Sequence, residues 1–319
     1  MNTWQPTASI ELLKKRAQLV VATRQFFEGR GFWEVETPLL MPSIGTDVVL
    51  QPFVVHSAVP KSPVCFLQTS PEFAMKRLLA MDCGPIYQLC KAFRDEEKGR
   101  IHNFEFTMLE WYHPGFSLED SISETLELLS VVCGWPQAEI LTYQSLFETH
   151  CGFCPHLAPL ETMQAYLRSK DIVSEASLVT WSREDCLQCI LSHFIEPLLG
   201  FDAPVVVKEF PASQAALACV VHRDGFDVAE RFEIYVRGIE LANGYHELTD
   251  PAEQKRRFES DNQSRQAQGL PVLPIDHHLI EALKSGVPDC SGVALGFDRL
   301  VMLVLEQAHL QLVQAFYNG

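Results

Sequence analysis

Apolar positions first recur at helical spacing. Ile10, Leu13, Ala17, Val20 and Phe27 fall on one face, and Gly29 and Gly31 end the pattern, so a helix is predicted over residues 10–28. An extended stretch follows from Phe32 to Leu40, interrupted by Pro38. Residues 86–94 and 104–112 each alternate apolar and polar, with the charged run 95–103 between them, which predicts two long antiparallel strands joined by a polar loop. Helices are expected at 117–132, 160–170 and 182–199, and strands at 205–209 and 231–239. Asp250-Pro251-Ala252-Glu253 reads as a cap followed by a proline at the first helical position, starting a helix to about Gln268 with Gly269 at its end. Near the C-terminus, residues 292–296 read as a short buried strand leading into a helix, 298–306. Strands and helices mix without a βαβ rhythm, and no repeat or long linker divides them. The expectation is a single α+β domain over residues 1–319, built on an antiparallel sheet flanked by helices.

Of 319 residues, 47% are hydrophobic, ample for a packed core. The 25 basic residues stand against 41 acidic ones, which favours solubility and argues against nonspecific nucleic-acid binding. Met1 to Pro6 carries no basic stretch before an apolar one, and no apolar run approaches the roughly 18 residues of a membrane helix, so a soluble cytoplasmic protein is expected. Ten cysteines include two Cys-x-x-Cys pairs, Cys151/Cys154 and Cys186/Cys189. Joined, they would make a tetrahedral zinc site. Their separation exceeds the roughly 15–20 residues of zinc ribbons, and the second pair suits the inner face of a helix, so inward packing without zinc is expected.

Three constellations carry candidate chemistry. The first is the loop from Arg94-Asp95-Glu96 to His102-Asn103, with Phe106, Glu110 and Tyr112 on one face of the return strand. An arginine there suits a phosphate, and a phenyl ring with carboxylates suits an aromatic base and an amine. The second is Gly292-Val293-Ala294-Leu295-Gly296-Phe297-Asp298-Arg299, where glycines admit a ligand to the backbone and Arg299 enters the first turn of a helix. The third is the set of acids Glu233, Glu240 and Glu247. Asn243-Gly244 is a strong hairpin-turn signal, and a turn there would set Glu240 opposite Glu247, tolerable with a divalent cation or an ammonium group between them.

Taken together, these segments resemble the class II aminoacyl-tRNA synthetases. Residues 31–38, Gly-Phe-Trp-Glu-Val-Glu-Thr-Pro, are similar to that family's first motif, a dimerisation element. Phe93-Arg94-Asp95-Glu96 with His102-Asn103 and residues 105–110 resemble the second, and the glycine-rich run ending in Asp298-Arg299 the third. Thr69-Ser70-Pro71-Glu72, Lys76-Arg77-Leu78 and residues 240–248 look like the lysyl branch. Only some 30 residues precede the first motif, too few for the anticodon-binding domain of a lysyl-tRNA synthetase. The chain therefore resembles the stand-alone lysyl-tRNA synthetase paralogues that modify translation elongation factor P, and Phe210-Pro211-Ala212-Ser213-Gln214-Ala215 fits them better than the synthetases.

The resemblance implies an AMP-forming ligase that uses ATP and Mg²⁺, takes β-lysine, acts on elongation factor P without tRNA, and forms a homodimer. It implies that Arg94 and Arg299 grip phosphates as the catalytic pair and that Phe106 stacks on adenine. Asp95, Glu96, Asn103, Glu240, Leu241 and Gly296 complete the ATP site, and Glu233 and Glu240 bind Mg²⁺. Ser70, Pro71 and Glu72 border the substrate's amino end, Tyr112 and Glu247 receive the side-chain ammonium, and Asn243 and Ala294 also line that pocket. Four positions depart from the family: Asp95 replaces the usual Asn and Phe104 the usual Pro, while Ala294 and Ser70 stand where lysyl-tRNA synthetases have Gly and usually Ala. Two other readings stay open, a truncated synthetase charging tRNA with α-lysine and an inactive regulator that only binds an amino acid.

Overall fold

The structure, a computed structural model, describes residues 4–95 and 98–317. In chain order the elements are α1 (Ile10–Glu28), β1 (Trp33–Glu34), β2 (Leu40–Met41), β3 (Val54–Val55), β4 (Cys65–Leu67), α2 (Glu72–Leu79), β5 (Ile86–Phe93), β6 (Glu105–Pro114), α3 (Leu118–Cys133), β7 (Glu139–Thr142), α4 (Tyr143–Cys151), α5 (Leu160–Lys170), α6 (Glu175–Thr180), α7 (Arg183–Ile190), β8 (Val205–Pro211), β9 (Val220–Arg223), β10 (Phe226–Val236), β11 (Ile239–His246), α8 (Pro251–Ala267), α9 (His277–Gly286), β12 (Cys290–Gly296) and α10 (Phe297–Val304). They form two compact units, one from Met1–Ser117, Val131–Cys133 and Glu247–Gly319, the other from Leu118–Ser130 and Gly134–His246. This is the α+β class read from the sequence, with antiparallel pairing dominant in both units.

In the first unit β1, β5, β6 and β12 form consecutive neighbours, parallel only between β1 and β5. The predicted strand pair is β5–β6, in register from Ile86↔Tyr112 to Phe93↔Glu105. β12 pairs on the other side of β6, setting Gly292 against Tyr112 and Ala294 against Glu110. Helix α1 matches its predicted bounds, and Ser9 caps it by accepting from the Leu12 N–H. Its Phe27 is fully buried, stacked on Tyr87 at 4.5 Å between ring centres. Helix α8 begins as expected, with Asp250 accepting from the N–H groups of Ala252 and Glu253.

The second unit has β11, β10, β8 and β7 as neighbours, with β9 also on β10. Its core includes Tyr143, Phe147, Leu167, Leu187, Ile190 and Tyr235. Cys186 and Cys189 pack into it from α7, as the helical spacing suggested. The helix expected over 182–199 is shorter: α7 stops at Ile190, and a π-turn and a 3₁₀ turn continue to Leu198.

Two expectations are corrected here. Asn243-Gly244 is not a turn but lies inside β11, and the strand predicted over 231–239 breaks at a tight turn, Arg237-Gly238, where φ is 51° and 71°. Gly244 is a glycine for packing: a Cβ there would come within 3.0 Å of the Phe232 ring on the opposing strand. Consequently Glu240 does not face Glu247 but pairs with Tyr235.

Candidate active site

Within the first unit, the second and third sequence motifs are joined by buried polar contacts. The Arg94 N–H donates to the Phe104 carbonyl at 3.0 Å, closing the strand pair, and its guanidinium lies 5.2 Å from the Phe106 ring centre. Asp95 is tied by its N–H to the Gln51 carbonyl, while Glu96 lies outside the described residues. Asn103, buried, donates to Gln314 Oε1 at 2.9 Å. Gln314 donates in turn to Asp298 Oδ2 at 2.7 Å, which also accepts from the Thr107 N–H, and Arg16 pairs with Asp298 Oδ1 at 2.6 Å. Asp298 therefore fixes the start of α10, whose cap is Gly296.

Arg299 occupies the first turn of that helix, where unpaired backbone N–H groups already favour an anion. It donates to His102 Nε2 at 2.7 Å and to the Ile101 carbonyl at 3.3 Å. An arginine donor requires a lone pair on Nε2, which places the proton of a neutral His102 on Nδ1. Arg94 and Arg299 thus bracket the two ends of one polar loop, a suitable cradle for phosphate charge.

The same unit holds a second cluster, of acids around one ammonium. Period two along β6 puts Glu110 and Tyr112 on one face, and the Tyr112 hydroxyl donates to Glu110 Oε1 at 2.7 Å. Ser70 donates to Glu110 Oε2 at 2.8 Å, while its oxygen accepts from the Glu72 N–H at 3.1 Å; Pro71 is the cap residue of α2. Lys76, one helical turn beyond Glu72, places Nζ 2.6 Å from Glu72 Oε1 and 2.5 Å from Glu247 Oε2. Glu110, Lys76, Tyr112 and Glu247 are each at most 2% exposed. Burial works against the Lys76 charge, but Glu247 and Glu72 outweigh it and raise its pKa. Burial, then the facing Glu72 and Glu247, push the Glu110 carboxyl up to about 8 against the Tyr112 and Ser70 hydrogen bonds.

In the second unit Glu233 and Glu240 share a face of β10–β11. Ile234 pairs with Ala242 but Tyr235 with Glu240, so the chain bulges at Leu241, and this one-residue shift brings Glu240 to the face that carries Glu233 and Asn243. Glu233 is buried and accepts from Arg231, from the Tyr235 hydroxyl and, at 3.3 Å, from the Asn243 amide. Burial first, and Glu240 beside it, raise the Glu233 pKa against the pull of Arg231. Arg231 is itself seated 4.5 Å from the Phe210 ring centre and donates to the Gln214 carbonyl at 2.7 Å, so the segment Phe210–Ala215 braces the acid pair.

The structure thus groups Ser70, Pro71, Glu72, Tyr112, Glu247 and Ala294 beside one another. It groups Arg94, Asn103, Phe106, Gly296 and Arg299 in a second set, and Glu233, Glu240, Leu241 and Asn243 in the other unit. Sequence reasoning gave no role to Lys76, Arg231, Tyr235 or Gln314. The i,i+4 spacing of Glu72 and Lys76 was the available signal for the first, and period two around Glu233 for the next two.

The chain belongs to the class II tRNA synthetases: the family described as "tRNA synthetases class II (D, K and N)" matches residues 3–318. Among named relatives, the elongation factor P–(R)-β-lysine ligase of Salmonella arizonae is 48% identical over 317 residues, 98% of this chain and 97% of that protein. The protein of the same name from Edwardsiella ictaluri is 48% identical over 322 residues, covering 99% and 98% of the two chains.

Proposed function

We propose that this protein is a cytoplasmic ligase that activates (R)-β-lysine with ATP and transfers it to a lysine ε-amine of translation elongation factor P. The observation that carries this reading is the acidic cluster of buried Glu110 and Glu247 with half-buried Glu72, which suits a substrate with two ammonium groups. Relatives from Salmonella arizonae, Edwardsiella ictaluri and an Enterobacter strain, which match over nearly their whole length and are named for that reaction, support it over tRNA charging or passive binding. The whole span serves as one catalytic domain, in keeping with the family match. In the first step a carboxylate oxygen of β-lysine attacks the α-phosphorus of ATP in line, and pyrophosphate leaves. In the second the acceptor amine attacks the acyl carbon, an amide bond forms, and AMP leaves with the bond to its phosphate oxygen broken. Arg94 and Arg299 hold the charge that develops on phosphorus, and Phe106 supports the base. Catalysis is positioning and electrostatics, with no protein nucleophile.

Glu233 and Glu240 fit Mg²⁺ in donor chemistry, since that ion binds through one or two carboxylates together with nucleotide phosphates. When bound it would neutralise phosphate charge. Arg231, Tyr235 and Asn243 hold Glu233 in place for this role. A homodimer is part of the proposal: in and near the first motif Val21, Trp33, Leu39 and Leu40 are between 40% and 53% exposed, an apolar set that a second copy would cover. Sedimentation as a monomer at micromolar concentration would remove that part.

The reading is tested by pyrophosphate exchange with α- and β-lysine, followed by transfer assays offering elongation factor P or tRNA. Exchange with β-lysine and transfer to elongation factor P are expected; exchange with α-lysine alone and charging of tRNA would replace the proposal with a truncated synthetase. Ala294 lies opposite Glu110 on the neighbouring strand, so its methyl borders the pocket. A single methyl is worth about 1–3 kcal/mol, so Ala294→Gly should raise kcat/KM for α-lysine relative to β-lysine by about tenfold or more. An unchanged ratio would take this residue out of the specificity argument.

Glu110 also predicts a proton release. Its folded pKa lies above the ordinary 4.5, so it favours the folded state fully below that value, and the contribution fades as pH rises through about 8. An arriving ammonium stabilises the carboxylate and expels the proton. Near pH 7, calorimetry in buffers of different ionisation enthalpy should show release of about one proton per β-lysine bound. The KM for β-lysine should fall toward pH 8, and both effects should vanish in Glu110→Gln. A binding enthalpy independent of buffer contradicts this.

A further inference from the structure

The acidic cluster contains a charge that the substrate does not supply. Lys76 is 1% exposed, and its ammonium bridges Glu72 on its own helix and Glu247, which follows β11 in sequence and donates its N–H to the Cys290 carbonyl of β12. A buried ammonium spanning two carboxylates fixes their separation, because each N–O contact is near the minimum for a charged hydrogen bond. It engages only one oxygen of each acid. Glu247 Oε1 and the Tyr112 ring both close in on Gly292, filling the space that a Cβ there would take.

The charge count is equally specific. Glu72, Glu110 and Glu247 bring three negative charges when ionised, and Lys76 cancels one. The two that remain equal the two ammonium groups of a diamino acid. Without Lys76 the cluster would hold one uncompensated buried charge even with substrate bound, an arrangement that neutralises itself by taking up a proton.

We propose that Lys76 is a positioning residue of the amino-acid site, an internal counter-charge that spaces Glu72 and Glu247 and sets the residual charge to match two substrate ammonium groups. This rests on the reading that Glu72, Glu110 and Glu247 receive the amines of β-lysine. The Lys76 ammonium is engaged by Glu72 and Glu247, so its effect falls on amino-acid recognition and not on ATP.

Two variants separate charge from spacing. Lys76→Met removes the charge with little change in bulk. Truncating one partner of a buried pair costs enough that KM for β-lysine in pyrophosphate exchange should rise about 100-fold, with KM for ATP changed less than about threefold. Its lowest KM for β-lysine should also move to higher pH by about one unit, because Glu110, raised by burial and by the neighbouring Glu72 and Glu247, ionises less readily once the nearby positive charge is gone. Lys76→Arg keeps the charge but alters the spacing, so KM for β-lysine should rise about tenfold with the wild-type pH profile. If Lys76→Met does not fold, as judged by its thermal transition, the arginine variant alone decides. A wild-type KM for β-lysine in either folded variant, or a Lys76→Met pH profile superimposable on that of the wild type, overturns the proposal. The underlying reading is checked separately on wild-type enzyme with 3-aminohexanoate, which lacks the second amine. Exchange as efficient as with β-lysine would mean that the cluster does not receive both amines, whatever Lys76 does.

Discussion

Arg299→Ala is expected to lower pyrophosphate exchange by at least several hundred-fold while leaving the thermal transition nearly unchanged, and Arg94→Ala to do the same. Removing one preorganised donor from a developing oxyanion costs about 3–4 kcal/mol of transition-state stabilisation. Both side chains lie near the two ends of the loop between β5 and β6. Neither variant should collapse that loop. Arg94 closes the strand pair through its backbone N–H, which alanine keeps, and the start of α10 is held by Asp298 with Thr107, Gln314 and Arg16. Arg299→Ala does remove the donor to His102; Arg299→Lys is the control, expected to restore charge but not the forked geometry. Exchange near the wild-type rate in either alanine variant would withdraw the arginines from the chemistry.

The parts of this site that lie along one strand or one helix turn were legible in the sequence. Alternation announced β5 and β6 and placed Phe106, Glu110 and Tyr112 on one face, and the Asp250-Pro251 cap fixed the start of α8. Legibility failed where the cause is a contact between segments far apart in the chain. Asn243-Gly244 carries every local mark of a turn, yet Gly244 exists to admit the Phe232 ring, and the turn falls on Arg237-Gly238 instead. Glu233 and Glu240 are seven residues apart, and only the bulge at Leu241 puts them on one face. Lys76 looks like a surface lysine of an amphipathic helix until Glu247, 171 positions later, is found within 2.5 Å of it. Local pattern sets the elements; which acid meets which cation is decided by register.

Gly292→Ala is the second substitution with a large expected effect, and it tests the shape of the amino-acid pocket without touching any charge. Gly292 sits in β12 directly opposite Tyr112. Its φ is not positive, so the glycine is not required by the backbone. It is required by space: a Cβ would come within 3.0 Å of the Tyr112 ring and of Glu247 Oε1. Neither neighbour yields cheaply. Tyr112 is 2% exposed and its hydroxyl is committed to Glu110; Glu247 is 2% exposed and paired with Lys76. Overpacking at such a site costs about 1–3 kcal/mol of stability, so the thermal transition should fall by several degrees. Recognition should suffer more, because the methyl enters the gap between the two groups proposed to receive the side-chain ammonium. A misplacement of about 1 Å in a positioning group is worth about 100-fold, so kcat/KM for β-lysine should drop by at least that factor. Binding of a non-hydrolysable ATP analogue, followed by calorimetry, should stay within about threefold of wild type, since the clash does not involve Arg94, Phe106 or Arg299. A folded Gly292→Ala enzyme with wild-type kcat/KM for β-lysine would show that the ammonium does not bind between Tyr112 and Glu247.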